Sequence, residues 1–370
     1  MVDNRAGVSA ALAESPFDAV VAVSPENVPY VSGCTIETQR SLRSRLALVV
    51  WPKEQEPSFI VCGIEEAQAR KESWIADIRA YVEFETSPIE MLSQTLRDRG
   101  LSKARVGIEG DYLTAGYFEE LKRLSPETRF EDLGAFFPRL RAIKTQTEIE
   151  HLTAAAKATE RALLATYMTI RQGDSERAMR TKLVSNLTAN GAEGIEFAYI
   201  NAGGNSGYPH HQATDYRGRR GDTVKSDVGG SWSGYMSDIG RTGVIGAPSR
   251  RQKEVWSKLE QVQERTIEGL HPGKTASSVY AIMKREMERV DLPFPLPHAG
   301  HSIGREVHEA PVLSPHHETL IESNMMFAVE SRVRWPGREG YHLEDLVLVT
   351  DSGPRVLTNH ASTGGSLWVM

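Results

Sequence analysis

Cysteine is scarce in this 370-residue sequence, which contains only Cys34 and Cys62. Two cysteines cannot form a disulfide framework, and they do not have the spacing of a paired-cysteine zinc site. The sequence also lacks any apolar run approaching the ~18 residues of a membrane-spanning helix. Its first fifteen residues contain no apolar segment of signal-peptide length. These absences predict a reducing compartment, and we expect a cytoplasmic protein.

A strong excess of positive charge is also missing, since the formal net charge is -6 and Lys and Arg form no long run. The charge pattern therefore argues against a basic surface for nucleic acid or an anionic membrane. No glycine-rich dinucleotide or phosphate-binding loop follows the predicted early strands. We expect a small molecule or a peptide as the ligand, with no nucleic acid and no membrane partner.

Hydrophobic residues make up 40% of the chain and charged residues 25%, which is typical of a folded globular protein. The first third alternates β-rich apolar runs with helical patterns, as an α/β domain does. The apolar runs are Ala19–Val23, Leu46–Trp51, Phe59–Cys62 and Val106–Ile108, and the helical patterns are Pro88–Arg97 and Tyr117–Leu124. We predict one domain over residues 1–142 and a second over residues 143–370.

The second part of the chain shows a coarse internal repeat. Its first helix has a possible capping box at Thr147 and Glu150, and Gly173 is placed to end it. Two helices and a set of strands are followed by two more helices and a second set of strands. The predicted helices cover about 147–172, 175–190, 250–269 and 275–290. Duplicated halves that face each other would bring residues from both sets of strands to one cleft.

Two carboxylates, Asp227 and Asp238, lie symmetrically about a turn-rich centre between Trp232 and Ser233. A β-hairpin about that centre would make them direct cross-strand neighbours, with Cβ atoms about 4.5–5.5 Å apart. Carboxylates at that distance repel each other unless a proton or a cation lies between them. The pair therefore either binds metal ions or belongs to a solvent-facing hairpin with two unrelated acids.

A second acidic pair, Glu330 and Glu344, is symmetric about Gly337 and predicts another antiparallel pairing of carboxylates. The apolar run Leu346–Val349 comes two residues after Glu344. It predicts a strand that is buried on both faces. A carboxylate at the edge of such a strand requires a partner.

Two histidines, His301 and His308, stand seven residues apart between the acidic pairs. The glycines of this segment, Gly300 and Gly304, allow the backbone to approach a site closely. A lone histidine is more often a surface residue or a hydrogen-bonded core residue. The position between two acidic hairpins favours a metal-ligand role for one of the two.

These segments resemble the pita-bread metallopeptidase family, which includes prolidase, aminopeptidase P, methionine aminopeptidase and creatinase. Residues 25–33 are similar to the N-terminal domain of the creatinase and prolidase branch, so the resemblance covers nearly the whole chain. It implies an α/β N-terminal domain, an α+β pita-bread catalytic domain with an internal pseudo-two-fold repeat, and a homodimer. It also implies two metal ions bound by Asp227, Asp238, His301, Glu330 and Glu344.

The resemblance also implies roles in catalysis. Glu330 would bind metal and move a proton from the attacking water to the leaving nitrogen, while His210 and His308 would stabilise the oxyanion without binding metal. His211 is the less favoured neighbour of His210. Ligands dominated by carboxylates favour Mn²⁺, and Co²⁺, Zn²⁺ and Fe²⁺ are also compatible. Hydroxide formed from a water between the ions would be the nucleophile.

Some positions near these residues depart from the family pattern. Gly240, Ser302 and Ser331 stand where relatives usually have Thr, Gly and Pro, and His342 replaces an Arg. A titratable imidazole pairs with carboxylates and substrates differently from a planar guanidinium. His298 lies three residues before His301, where prolyl peptidases tend to have a histidine four residues before. We expect His298 and His342 to contact the substrate or the metal ligands.

The resemblance implies a metal-dependent hydrolase of an amide-type C–N bond, with X-Pro dipeptides or longer X-Pro peptides as the predicted substrates. The altered positions leave a second hypothesis open, a non-peptide C–N hydrolase similar to ectoine hydrolase or creatinase. A third hypothesis is a catalytically silent interaction protein. The intact set of five ligands and two histidines disfavours the third hypothesis.

Overall fold

The computed structural model describes residues 4–358 and 367–370, and the chain divides into two compact units, Met1–Leu140 and Arg141–Met370. The helices up to residue 142 are α1 (Arg5–Glu14), α2 (Asn27–Ser32), α3 (Glu37–Ser41), α4 (Glu66–Glu72), α5 (Pro88–Asp98), α6 (Ala115–Leu124) and α7 (Phe136–Ala142). The strands of this part are β1 (Ala19–Ala22), β2 (Leu48–Pro52), β3 (Ser58–Cys62), β4 (Asp77–Tyr81), β5 (Arg105–Ile108) and β6 (Arg129–Asp132).

A mixed six-stranded sheet with the order β4-β3-β2-β1-β5-β6 lies at the centre of the first unit. Strand β1 is antiparallel to β2 and parallel to β5. Its successive side chains enter two different apolar clusters, Val20 on one face of the sheet and Val21 on the other. The apolar runs and helical patterns of the sequence form β1, β2, β3, β5, α5 and α6, which confirms the α/β prediction.

The second unit contains four longer helices, α8 (Gln146–Thr169), α9 (Glu176–Ala189), α10 (Arg250–Ile267) and α11 (Ala276–Arg289). Its strands are β7 (Gly194–Ala202), β8 (Thr223–Trp232), β9 (Tyr235–Met236), β10 (Ile239–Val244), β11 (Gly300–Ser302), β12 (Glu309–Val312), β13 (Met326–Trp335), β14 (Glu339–Thr350), β15 (Gly353–Val356) and β16 (Trp368–Val369). Among the described residues, no helix has both the length and the apolar character that crossing a membrane requires.

The second unit repeats one arrangement twice. Helices α8 and α9 precede a sheet with the order β16-β10-β8-β7, and α10 and α11 precede a sheet with the order β12-β11-β13-β14-β15. The turn inside each helix pair has a glycine at positive φ, Gly173 or Gly273. The N-cap that follows is Ser175 in the first pair and Thr275 in the second. The α+β fold class with an internal repeat is therefore confirmed.

The sheets of the two halves meet along β10 and β14. The backbone N–H of His342 donates to Oγ1 of Thr242 at 2.8 Å, and this hydroxyl donates to the carbonyl of His342 at 3.1 Å. Arg241 donates to the backbone carbonyl of Glu344 and to the carboxylate of Asp345. These buried bonds hold the strand that carries Glu344 beside the hairpin that carries Asp227.

The predicted register of the Asp227–Asp238 hairpin is wrong, because the turn lies one residue later in the sequence than predicted. Asp227 lies opposite Gly240, so Asp227 and Asp238 are not direct cross-strand neighbours. The turn is centred between Ser233 and Gly234, which both have positive φ, as a two-residue type I′ turn requires. Gly234 makes this turn favourable at the later position, and Asp238 comes to lie just before β10.

The helix α8 begins two residues before the predicted capping box. Thr145 is its N-cap, and Glu148 completes the box. Both Thr145–Glu148 and Thr147–Glu150 have the required spacing, but Glu148 is buried and accepts a hydrogen bond from the Tyr235 hydroxyl at 3.1 Å. A distant contact therefore selects between two equivalent local signals.

The second acidic hairpin has the predicted register. Glu330 of β13 lies directly opposite Glu344 of β14, and Gly337 has positive φ in the connecting turn. The run Leu346–Val349 is buried within β14, which confirms the strand prediction. One hairpin therefore presents two carboxylates side by side on one face of its sheet.

Candidate metal centre

A cavity of about 420 Å³ lies in the second unit and is lined mainly by polar and charged side chains. Strands from both halves contribute to it, since β8 carries Asp227 and β13 carries Glu330. The lining includes the predicted metal ligands and three further histidines: Asp227, Asp238, His301, Glu330, Glu344, His210, His298 and His308. All five predicted ligands are at most 7% exposed.

Three sets of side chains place possible ligand atoms within 4.8 Å of one another. The sets are Asp238 with His301 and His308, Asp227 with His342 and Glu344, and His301 with Glu330 and Glu344. Because His301 and Glu344 each belong to two sets, the sets are contiguous. The arrangement has the oxygen-rich, imidazole-containing donors that bind divalent transition metals.

Burial and mutual repulsion disfavour negative charge on these acids. Burial raises the pKa of Asp238 well above its ordinary value, and the carboxylates of Glu344 and Asp227 raise it further. Burial also raises the pKa values of Asp227 and Glu344. Oδ1 of Asp238 and Oε2 of Glu344 are buried and have no hydrogen-bond partner within residues 4–358 and 367–370. Buried carboxylates of this kind require cations, so the residues fit two divalent ions.

The pKa of His301 is lowered to about 3 by burial and, to a lesser extent, by the nearby His308. Its ring is therefore neutral at ordinary pH, which is the form that binds a metal. Nε2 of His301 lies 3.6 Å from Oδ2 of Asp238, and Nδ1 faces its neighbouring carbonyl, that of Ser302, at 3.1 Å. A hydrogen bond from Nδ1 to that carbonyl leaves the Nε2 lone pair directed at the cluster.

The two candidate histidines upstream of Asp227 lie in different places. His210 lines the cavity, with Nε2 3.9 Å from Oδ2 of Asp227 and its ring tilted against Tyr199. His211 is not among the residues that line the cavity, and its Nδ1 lies 2.8 Å from the carbonyl of Gln212. Of these two histidines, His210 is therefore the one that faces the cavity.

His308 stacks on His301, with ring centroids 3.7 Å apart, and belongs to one of the three ligand sets. It thus lies beside the metal cluster, where its ring nitrogens can face either a substrate or an ion. His298 lies between two charged groups. Its Nδ1 is 3.2 Å from Oε1 of Glu330, and its Nε2 is 3.1 Å from Nη2 of Arg332.

The positions that depart from the family pattern have definite environments. A Cβ atom at Gly240 would lie 2.6 Å from the ring of His342. A larger residue at position 240 would therefore clash with this ring, so His342 in this position requires glycine at 240. Ser331 donates to Oε1 of Gln263 at 2.8 Å. Ser302 lies 3.4 Å from Nζ of Lys144. None of these hydroxyls or glycines contributes a charged group to the cavity.

The sequence reasoning missed two arginines, Arg332 and Arg334, which line the cavity together with Glu330. Alternate residues of a strand point to the same face, so the spacing of these three residues on β13 was the available signal. Arg332 is 5% exposed, forms an ion pair with Glu330 and lies opposite His342. Burial lowers the pKa of Arg332 to about 10, which leaves it cationic at neutral pH.

Lys225 is a third missed cation, and it supports the segment that carries His210. Its ammonium donates to the carbonyls of Tyr208 and Pro209, both at 2.6 Å. Burial lowers the pKa of Lys225 to about 7, against an opposing effect of Asp227. The two carbonyl bonds fix the backbone immediately before His210.

A buried ionic network supports the loop between His301 and His308. Glu309 accepts hydrogen bonds from Arg141 at 2.5 Å and from Lys144 at 3.0 Å. It also accepts from the backbone N–H groups of Arg305 and Glu306. Burial alone would raise the pKa of Glu309, but the two cations override it and lower the pKa to about 2. The network fixes the loop from its C-terminal end.

Two domain families match this sequence. Residues 5–143 match the creatinase/prolidase N-terminal domain, and residues 150–351 match metallopeptidase family M24. An Xaa-Pro dipeptidase from Pyrococcus furiosus is 31% identical over 347 residues, which cover 93% of this chain and 94% of the relative.

Solved structures show the same likeness. The Xaa-Pro dipeptidase from Bacillus anthracis superposes with a TM-score of 0.87 at 26% identity, covering 98% of each chain. The X-Pro aminopeptidase from Thermotoga maritima superposes with a TM-score of 0.84 at 26% identity, covering 96% of this chain and 98% of that one.

The raised pKa values of Asp227, Asp238 and Glu344 predict a pH-dependent response to metal. In the metal-free protein, the stability linked to their protonated forms is present below about pH 4 and is lost as pH rises through their folded-state pKa values. Divalent ions bind the deprotonated forms. The increase in Tm on adding Mn²⁺ should therefore grow between about pH 5 and pH 8.

The matched variants are Glu344→Gln within the cluster and Glu196→Gln at the exposed edge of the cavity. The first should reduce both the metal-induced Tm shift and its dependence on pH, and the second should change neither. A Tm shift of equal size at pH 5 and pH 8 would contradict the electrostatic account of the cluster.

Glu309→Gln should cost about 3–5 kcal/mol of unfolding free energy, because it leaves Arg141 and Lys144 buried beside a neutral group. The control is Glu306→Gln, since Glu306 pairs with Arg141 but is 47% exposed. It should cost less than about 1 kcal/mol. Urea unfolding at pH 7 measures both.

The lowered pKa of Glu309 means that its stabilising contribution is present above about pH 4 and is lost as pH falls toward 2. The difference between wild type and Glu309→Gln should therefore shrink in acid. A constant difference over that pH range would show that charge is not the source of the stabilisation.

Proposed function

This chain belongs to metallopeptidase family M24, a family of metal-dependent hydrolases, and we propose that it cleaves the peptide bond that precedes proline in X-Pro dipeptides. The observation that carries the proposal is the meeting of all five predicted ligands in one cavity. The names of the relatives, Xaa-Pro dipeptidase and X-Pro aminopeptidase, support the bond type. We assign catalysis to the domain over residues 143–370 and keep the cytoplasmic homodimer as a prediction.

We propose that Asp227, Asp238, His301, Glu330 and Glu344 hold two divalent ions, with Mn²⁺ preferred among Mn²⁺, Co²⁺, Zn²⁺ and Fe²⁺. Bound ions would supply Lewis acidity, which polarises the scissile carbonyl and lowers the pKa of an attacking water. The four carboxylates balance the charge of two divalent ions. The donor set therefore suits a pair of ions better than a single one.

Glu330 is the proposed proton carrier of the reaction. Its carboxylate lines the cavity and would accept a proton from the attacking water and transfer it to the leaving nitrogen of proline. Nδ1 of His298 lies 3.2 Å from one oxygen of this carboxylate. The nitrogen of an X-Pro bond is a tertiary amide nitrogen, and it leaves as the secondary amine of proline once it receives this proton.

His210 and His308 are the proposed donors to the oxyanion. Both line the cavity, and neither is one of the five proposed ligands. A ring N–H directed at the carbonyl oxygen stabilises the negative charge that develops there in the transition state. The Lys225 bonds to the backbone before His210 reduce the freedom of this donor.

Arg332 and Arg334 supply the proposed contact for the substrate carboxylate. Both line the cavity, and Nε of each arginine is buried with no hydrogen-bond partner in the described part of the chain. A guanidinium binds a carboxylate through paired N–H groups. The cavity volume of about 420 Å³ falls within the ordinary range for small ligands. Together these features favour a dipeptide, whose carboxylate is close to the scissile bond.

A non-peptide C–N substrate is the second candidate, and the His342 ring in the space that a side chain at position 240 would occupy favours it. His342 puts an imidazole in the cluster at a position where prolyl-peptidase relatives usually carry an arginine. The second candidate uses the same five ligands and the same proton carrier. The two candidates differ only in the molecule that occupies the remaining space.

A substrate panel tests the proposed function. Metal-reconstituted protein should hydrolyse X-Pro dipeptides faster than longer X-Pro peptides, and should leave ordinary dipeptides, creatine and cyclic amidines largely intact. Release of proline or amine measures each reaction. Activity confined to creatine or cyclic amidines would contradict the peptidase proposal and support the second candidate.

Substitution of His308 or His210 by Ala should lower kcat about 10²–10³-fold, as loss of an oxyanion donor does, while both ions are retained. The matched control is His211→Ala, which removes a histidine outside the cavity lining. Elemental analysis and steady-state kinetics separate the two effects. A His308→Ala variant that loses metal but recovers normal kcat when metal is resupplied would overturn this role.

Arg334→Gln should raise KM for X-Pro dipeptides by about tenfold or more, which corresponds to the ~1.5–3 kcal/mol of a hydrogen bond to a charged group. The matched substrate is the C-terminal amide of the same dipeptide, which has no carboxylate. Its KM should be similar in wild type and variant. Equal changes in KM for the acid and the amide would contradict the carboxylate contact.

A further inference from the structure

His342 lies on β14, two residues before Glu344, and only 1% of it is exposed. Its ring is surrounded by carboxylates of the metal cluster. Nδ1 lies 3.7 Å from Oδ2 of Asp227, and Nε2 lies 3.3 Å from Oε2 of Glu330 and 3.6 Å from Oε2 of Glu344. Both ring nitrogens therefore face carboxyl oxygens of the metal cluster.

Among the residues that the structure describes, neither ring nitrogen of His342 has a hydrogen-bond partner. Buried polar atoms without partners are uncommon, and each requires an explanation. A neutral imidazole has one N–H group and one lone pair. Because carboxyl oxygens face both nitrogens, the lone pair of one nitrogen opposes an oxygen lone pair unless a proton or a cation lies between them.

The neighbouring strand leaves room for this ring. Gly240 of β10 lies opposite Asp227 of β8, and a Cβ atom at Gly240 would lie 2.6 Å from Cγ and Nδ1 of His342. Hydrogen bonds between the His342 backbone and Thr242 fix the backbone that carries the imidazole. The ring is thus held in a space that any larger residue at 240 would fill.

We propose that His342 is a sixth metal ligand, which joins Asp227 and Glu344 around one of the two ions while His301 serves the other. The possible ligand atoms of Asp227, His342 and Glu344 lie within 4.8 Å of one another. The proposal rests on the two-metal site of the proposed function, but it does not depend on the substrate.

A sixth, nitrogen ligand changes the metal preference of the site. Imidazole suits Zn²⁺ and Fe²⁺, whereas carboxylate and water suit Mn²⁺. With His301 on one ion and His342 on the other, each ion has an imidazole. The ion beside His342 should therefore prefer Zn²⁺ over Mn²⁺ more strongly than a site with oxygen ligands alone.

X-ray absorption of the zinc-loaded protein tests this inference by counting imidazoles per zinc. His342→Gln should lower the average count by one half, as should His301→Gln. The control His211→Gln should leave it unchanged. In calorimetric titrations, His342→Gln should weaken one zinc site by at least the ~10–100-fold that loss of a supporting residue costs. Its effect on Mn²⁺ should be smaller.

In His342→Gln protein that elemental analysis shows to hold two zinc ions per chain, an imidazole count equal to that of wild type would overturn the proposal and indicate an imidazolium that only pairs with the carboxylates. Wild-type protein labelled with ¹⁵N in its histidine rings gives a second measurement that needs no substitution. Zinc should shift the ring signals of His342 and His301 and leave those of His211 in place. Unshifted His342 signals in the zinc-loaded protein would also overturn it.

The outcomes for this inference and for the proposed function are separable. Loss of one half imidazole per zinc in a protein that cleaves no X-Pro peptide would contradict the proposed function alone. X-Pro hydrolysis with an unchanged imidazole count in His342→Gln would contradict the sixth ligand alone.

Discussion

Repulsion among four buried carboxylates is the constraint on which the rest of the catalytic unit depends. Asp227, Asp238, Glu330 and Glu344 share one cavity, and each is at most 7% exposed. Burial of several charges of one sign is strongly unfavourable without cations. The fold therefore has to provide positive charge or bind it. Arg332 supplies part of that charge, and divalent ions supply the rest.

The duplicated architecture explains how these acids come together despite their distance in sequence. Each half contributes a hairpin, and the contact between β10 and β14 places the two hairpins side by side. Residues that support this contact are themselves buried and hydrogen bonded, as Arg241 is to Asp345. A rigid frame of this kind keeps the ligands at fixed separations before metal binds.

The fold class and most of the centre could be predicted from the sequence because their signals are local. The register of Glu330 and Glu344 followed from a hairpin centred on Gly337, and the structure confirms it. The register of Asp227 could not be obtained from symmetry alone, because Gly234 moves the turn by one position.

Other features of the centre depend on distant contacts. The partners of His342 include Gly240, which lies about a hundred residues earlier and touches it only in the folded chain. Arg332 and Arg334 are alternate residues of the strand that carries Glu330, so the sequence could have placed them on the same face as Glu330. Their role, however, depends on the cavity that they face. The position of the α8 cap was decided by a hydrogen bond from Tyr235 to Glu148, which local pattern cannot show.

The most direct test of this account is a crystal structure of the manganese-loaded protein with anomalous diffraction data collected at the manganese edge. The account predicts two anomalous peaks inside the cavity, one near Asp227 and one near Asp238, with Glu344 adjacent to both. Absence of peaks from the cavity at saturating Mn²⁺, or a single peak outside this set of residues, would contradict it.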